Sequence, residues 1–492
     1  MKRLLTASFL FAAILAAAAT AWPADGLEAT ALGARSLGMA GVDLAIATDA
    51  LALDSNPAGL IQLPGQRVDL NGGLLSPILH FQNDLNDTNA QQRLYGSGAI
   101  AYGIHPQGAS VAGGVGLYLN NDTGVADFRL KNPVLGDNTR YFSQFQTAKL
   151  VGAIDWAPHP MISLALAPAF SLSRFDADLP YNKNPDWMQG VADASDNLTF
   201  AKLFKMPLSQ GGFGLDEATF RMQMRELNAY GVGGKFGAMI MPTERFRIGL
   251  VYDLQVNMKY YGHDKIDWAP QFAAIGQSLT QQYISQGLSP ANAQAKVRNQ
   301  MNYWGIEKNL QTTYNSKMEF SWPEDVGLGF SYKPIDSLLL GVDVKWIQWS
   351  HTMAGPVRAS MKFASYWTGP HILGSDPHIT PLPAHWNDQI VAAVGAQYAF
   401  IKDFYGRLGY NYASNVEANP NRVGLIMPGL IEHHIAAGLG YRYSLFEVNA
   451  AYQFGVPRTV KAGSADYWGA EYNNCKVTQG SHDVMLSASF LF

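Results

Sequence analysis

The chain has a single cysteine, Cys475, in a polar stretch, so no internal disulfide is possible and the residue is given no role. Charged residues make up only 15% of its 492 residues and the net charge is −4, which excludes the basic footprint of a nucleic-acid binder. Beyond the first two dozen residues no apolar run is long enough for a helix to cross a bilayer. Catalytic patterns are missing too. The eleven histidines are scattered, and the adjacent His433 and His434 fall on a strand, where their rings face opposite ways. Gly113-Gly114-Val115-Gly116 lies inside a strand and opens no helix, so it is not a phosphate loop. No nucleophile elbow is present. These absences predict no enzyme activity, no metal and no cofactor.

What remains is rich in glycine (48 residues) and aromatics (12%), and it alternates. Lys2 and Arg3, the apolar run from Leu4 to Ala19 and the small residues Ala19-Thr20-Ala21 form an export signal expected to be cleaved after about residue 21. From Arg67 onward apolar residues recur every second position, the period of a strand. Between Arg245 and Tyr261, Phe246, Ile248, Leu250, Tyr252, Leu254, Val256, Met258 and Tyr260 fall on one face. About fourteen such strands can be counted. Short connections such as Pro242-Thr243-Glu244 and Lys333-Pro334-Ile335 alternate with long ones near 81–93, 129–141, 176–227, 263–314, 351–387, 415–428 and 458–480. Tight turns at one end and long loops at the other mark an all-β transmembrane antiparallel barrel of the outer membrane. The loops 176–227 and 263–314 are large enough to carry helices. In the second, one helix spans about Pro270 to Gln286, and another starts at Ser289 as N-cap with Pro290 in its first turn. The last strand ends on Phe492, an expected recognition signal for the barrel-assembly machinery.

Residues 33–65 fit neither a strand nor a solvated tail. They are rich in Gly and Ala, nearly uncharged and broken by the turn Asn56-Pro57. Gly33-Ala34-Arg35, Gly38-Met39-Ala40-Gly41, Asp49-Ala50 and Asn56-Pro57-Ala58-Gly59, in that order behind a signal peptide and ahead of a chain of strands, resemble the plug of the FadL-type outer-membrane transporters. The resemblance covers most of the chain. It implies an N-terminal plug (22–66) closing the lumen of a barrel (67–492), and passive uptake of long-chain fatty acids or aromatic hydrocarbons. It also implies a kinked third strand that opens the wall beside the plug's Asn56-Pro57-Ala58 turn. Asn120-Asn121-Asp122-Thr123-Gly124 holds turn formers inside that strand, and either kinks it or ends it at Leu119.

Arg35 is the one strong charge between Glu28 and Asp43, and enclosure predicts a wall carboxylate for it, Asp253 or Glu447. Strand alternation turns Lys149, Lys259, Lys317, Lys345 and Arg407 to the lumen, together with the acids Asp155, Glu319, Asp325 and Asp343. Such charges either tie plug to wall or supply a cation for a fatty-acid carboxylate, with apolar neighbours for the tail. The expected partners are a hydrophobic ligand, outer-membrane lipid and lipopolysaccharide, with no nucleic acid, and a monomer is expected. The competing reading is a general diffusion porin.

Overall fold

The computed structural model describes residues 26–91, 94–306, 310–354, 357–363, 372–374, 378–382, 385–417, 419–425, 428–465 and 469–492; the expected signal, 1–21, lies outside them. Fourteen antiparallel strands form one closed barrel. They are β1 Gln66–Gln82, β2 Tyr95–Ile104, β3 Val111–Asn132, β4 Gly136–His159, β5 Ile162–Lys183 and β6 Ala218–Thr243. Next come β7, in two runs Phe246–Asp253 and Val256–Asp267, and β8, in two runs Gln311–Trp322 and Asp325–Ile335. The rest are β9 Leu338–Ile347, β10 Gln389–Ile401, β11 Phe404–Ala413, β12 His433–Tyr443, β13 Phe446–Lys461 and β14 Lys476–Leu491. Each pairs with its neighbours in sequence, and β14 closes on β1 from Arg67↔Leu491 to Gln82↔Lys476. Closure continues to the last residue, whose N–H donates to the Gln66 carbonyl at 3.0 Å. The short connections are as tight as expected: Asp403 and Ser444 adopt φ of 65° and 54°, the left-handed backbone that two-residue turns demand.

Several strands run farther than the alternation predicts. The expected loop 129–141 is a hairpin tip, because β3 continues to Asn132 and β4 begins at Gly136. Likewise β5 reaches Lys183 and β6 starts at Ala218, so the expected loop 176–227 is much shorter. The reason lies in what the strand faces. In the half with short turns, Leu150, Ile154, Leu166, Phe170, Val232 and Phe236 point outward as an exposed apolar band, the lipid face. Tyr398, Phe400, Tyr443, Phe446 and Phe490 ring its lower edge. In the half with long loops the faces invert. On β7, Leu250 and Tyr252 point out, but after the break at Leu254–Gln255 it is Val256, Met258 and Tyr260 that are buried inside. A one-residue slip exchanges every side chain between faces. The same exchange occurs on β8 across Pro323–Glu324 and on β6 near Glu226, which has φ 55°.

The inverted half encloses an apolar core built by the outer loops. Helix Ala269–Ser285 buries Phe272, Ile275, Leu279 and Tyr283 at three- and four-residue spacing, and helix Pro290–Tyr303 buries Ala293, Val297 and Met301. Ser289 caps the second helix by accepting from Asn292 N–H, as expected. Trp268 stacks on Phe220 of β6 with ring centroids 4.3 Å apart. Tyr303 donates to Asp193 at 2.6 Å and ties the two large loops together; that bond, with others from Ser195, holds the Asp193 carboxyl below its usual range. Cys475, in the connection before β14, is buried in a second apolar cluster.

Candidate ligand pocket above the N-terminal segment

Residues 26–65 lie inside the barrel and press their backbone onto the wall. Wall glycines make this possible. A Cβ on Gly249 of β7 would collide with the Leu44 carbonyl, and one on Gly237 of β6 would lie 2.5 Å from Asn56 Oδ1. Three wall carboxylates then hold the segment through its own amides. Asp343 of β9 accepts from Asp43 N–H (2.6 Å) and Leu44 N–H (2.9 Å). Asp69 of β1 accepts from Ala50 N–H (2.7 Å), and Asp155 of β4 from Ile61 N–H (2.8 Å). Buried amides need acceptors, and charged acceptors make the stronger bonds. Sequence reasoning placed Asp155 and Asp343 inward but foresaw salt bridges rather than amide capture. It missed Asp69.

Between this segment and the wall is a cavity of about 160 Å³, bordered by Leu27, Leu44, Lys149, Lys235, Val256 and Trp322 among others. Its cations are engaged. Lys149 Nζ meets Asp54 at 2.6 Å, and Lys235 Nζ meets Asp253 at 2.8 Å and Asp54 at 3.9 Å. Lys345 borders the same space. Above it an aromatic collar leads toward the outer loops. Phe145 packs on Phe175 (4.4 Å), Phe320 (5.4 Å) and Tyr260 (6.0 Å), and Phe320 packs on Trp322 (5.4 Å). Tyr260 spends its hydroxyl on Ser173, leaving the rest of the ring apolar.

The expected lumen cations divide. Lys149, Lys345 and Arg407 face inward. Lys259 and Lys317 do not: both lie beyond the face exchange and point outward, with Lys317 paired to Glu319, also outward, at 2.5 Å. Of the expected partners of Arg35, Asp253 is held by Lys235 at 2.8 Å, whereas Glu447 pairs with Arg67 at 3.4 Å and also lies in the field of the Arg35 charge. Arg35 forms no ion pair among the described residues, and its Nε is buried without a hydrogen-bond partner.

β3 does not end at Leu119. Its pairing with β4 slips by one residue between Asn120↔Thr147 and Thr123↔Phe145, and again before Ala126↔Ser143. Its pairing with β2 stops at Ser97↔Asn120, since β2 begins at Tyr95. Asn120 borders both the main cavity and a crevice of about 10 Å³ next to Ser97 and Tyr118. The Asn56-Pro57-Ala58 turn, however, is not at this kink. Asn56 Nδ2 donates to Leu44 O (2.7 Å) and to Ala238 O on β6 (3.3 Å), while Oδ1 accepts from Ala58 N–H. Ala50–Leu53 also lies against β3, where the Tyr118 hydroxyl donates to Leu51 O at 3.1 Å. Asn56 spends Nδ2 on the Leu44 and Ala238 carbonyls and Oδ1 on the Ala58 N–H, so its side chain is engaged away from the strand groups released at the kink.

A family model described as outer membrane protein transport protein (OMPP1/FadL/TodX) matches residues 15–490. The chain belongs to this family. No curated protein sequence matches it. The fold recurs in the Pseudomonas putida toluene transporter TodX, at 15% identity over 94% of this chain and 98% of that one, with a TM-score of 0.68. It recurs in a Pseudomonas aeruginosa FadL homologue (14%, 93% and 98%, TM-score 0.65) and in the Ralstonia pickettii toluene transporter TbuX (14%, 96% and 100%, TM-score 0.62). As a member of the FadL/TodX family the chain is an outer-membrane barrel, with its apolar band in the bilayer.

Proposed function

We propose that this barrel takes up small neutral hydrophobic molecules, of the size of one aromatic ring, passively and without an energy source of its own. The observation that carries the reading is the cavity beneath the aromatic collar, in which Lys149 and Lys235 are already paired with Asp54 and Asp253. A fatty-acid carboxylate would have to compete with Asp54 and Asp253 for these cations and bring a third negative charge beside them. A neutral ring leaves the pairs intact. A volume of about 160 Å³ resembles engineered cavities of ~150 Å³ that bind benzene. TodX and TbuX are described as toluene transporters. Residues 22–66 act as the plug, and the ligand leaves sideways where β2 and β3 part above Asn120. We further read the protein as a channel rather than an enzyme and as a monomer. Its outward Lys259 and Lys317 face the lipopolysaccharide layer, and Phe492 is read by the assembly machinery.

The test is uptake of labelled toluene and of labelled oleate by cells with and without the gene. Toluene uptake is expected to rise several-fold and oleate uptake to stay unchanged. A gain for oleate alone overturns the pocket reading, and no gain for either overturns transport.

A further inference from the structure

The barrel holds a second cavity, of about 680 Å³, at its short-turn end. The plug borders it with Arg35 and Thr48, and the wall and turns with Arg67, Arg407, Arg442, Lys333 and Lys402. These cations are not neutralised as those of the upper cavity are. Among the described residues Arg67 alone of these cations is ion-paired, to Asp69 at 2.8 Å and to Glu447 at 3.4 Å. Arg407 is almost fully buried, yet its Nε and Nη1 donate only to the neutral amides of Gln397 and Asn449, each at 2.8 Å. Arg35, Arg442, Lys333 and Lys402 have no ion pair among the described residues. Of the acids that border the space, Asp336 is held by Arg245 at 3.1 Å, and Glu447 pairs with Arg67 while the charges of Arg35 and Arg407 also act on it; these two and Asp403 stand against six cations, of which only Lys333 and Lys402 are exposed to water. The plug side carries further unmet demand, because Arg35 Nε and the Thr48 hydroxyl are buried without partners.

A guanidinium removed from bulk water and given no counter-charge is costly. Arginine forks are best satisfied by planar or tetrahedral oxyanions, which accept from several donors at once. We propose that this vestibule binds an oxyanion of the phosphate or carboxylate class, which bridges Arg35 of the plug to Arg407 and Arg442 of the wall and so fastens the plug. The anion thus supplies the hydrogen-bond acceptor that Arg35 Nε lacks. It comes either from the periplasmic solution or from the headgroup of an anionic phospholipid in the inner leaflet.

The experiment is thermal unfolding of the purified full-length barrel in a phosphate-free maltoside detergent. It is titrated with inorganic phosphate, with phosphatidylglycerol in the micelle, or with sodium chloride at matched ionic strength. A ligand that binds only the native state raises the midpoint with its concentration. Phosphate is expected to raise the midpoint by several degrees beyond chloride. Arg35→Gln, checked for native heat-resistant gel migration, is expected to bring the response down to the chloride level, and Arg442→Gln, at the rim, to weaken it. If phosphatidylglycerol alone reproduces the shift, the source is a lipid headgroup; if phosphate alone does, it is a free anion. A native response to both that is no larger than to chloride overturns the site, as does a full response in Arg35→Gln.

Discussion

Replacing Asn121–Gly124 with alternating Val and Thr is expected to abolish toluene uptake while the protein keeps the heat-resistant migration of a folded barrel. β3 slips twice against β4 in this stretch and has already lost β2 as a partner. Asn, Asp and Gly favour the bulged backbone; Val and Thr favour a continuous ladder. Straightening the strand would draw it along β4 and close the space beside Asn120, which borders both the main cavity and the crevice. A neutral ligand would then have to pass the plug, and an added barrier of about 3 kcal/mol slows passage roughly a hundredfold. Closing the gap adds strand pairing, so no loss of fold is expected. Normal uptake by a correctly folded, straightened variant would show that the ligand leaves by another route.

The second large effect is expected from Asp343→Ala. Asp343 is buried on β9 and accepts from the amides of Asp43 and Leu44, at the middle of the segment proposed as the plug. Removing the carboxylate strands two buried donors, each costing about 1–3 kcal/mol. The barrel's own ladder does not use this side chain, since β9 pairs with β8 and β10 through its backbone. The loss should therefore fall on the plug. Steady ion conductance in planar bilayers is expected to rise several-fold, with Asp343→Asn falling between the two because its carbonyl still accepts without the charge. Conductance equal to that of the native protein would mean that Asp69, Asp155 and the Lys149–Asp54 pair hold the plug without it.

These two sites show how far the sequence could be read. The barrel was legible because a lipid face must be apolar at every second residue, and because tight turns and long loops alternate along the chain. Residues 33–65 were legible as a segment that fits no strand. Ser289 and Pro290 announced their helix through capping chemistry. What misled was the assumption that one face stays apolar along a whole strand. Phe246 to Tyr260 reads as one uninterrupted stripe, yet the break at Leu254–Gln255 sends its two halves to opposite sides. Above the bilayer the outside is water and the lumen is filled by aromatic side chains, so the apolar residues turn inward. That is why Lys259 and Lys317 point away from the lumen while Lys149, on a strand whose inward face does not change, points into it. The partners of Arg35 and Asn56 were illegible for a different reason. They depend on how wall groups are shared, as Glu447 pairs with Arg67 while lying in the field of Arg35, and Asp253 pairs with Lys235.

The central claim is that a neutral hydrocarbon crosses a barrel that is closed to ions. It is tested most directly with the native protein in one membrane, by recording steady conductance in a planar bilayer while toluene flux is followed across it. The account predicts flux well above that of the protein-free bilayer together with little steady conductance. Free conductance of ions at all times would contradict it and would make the protein a general diffusion porin.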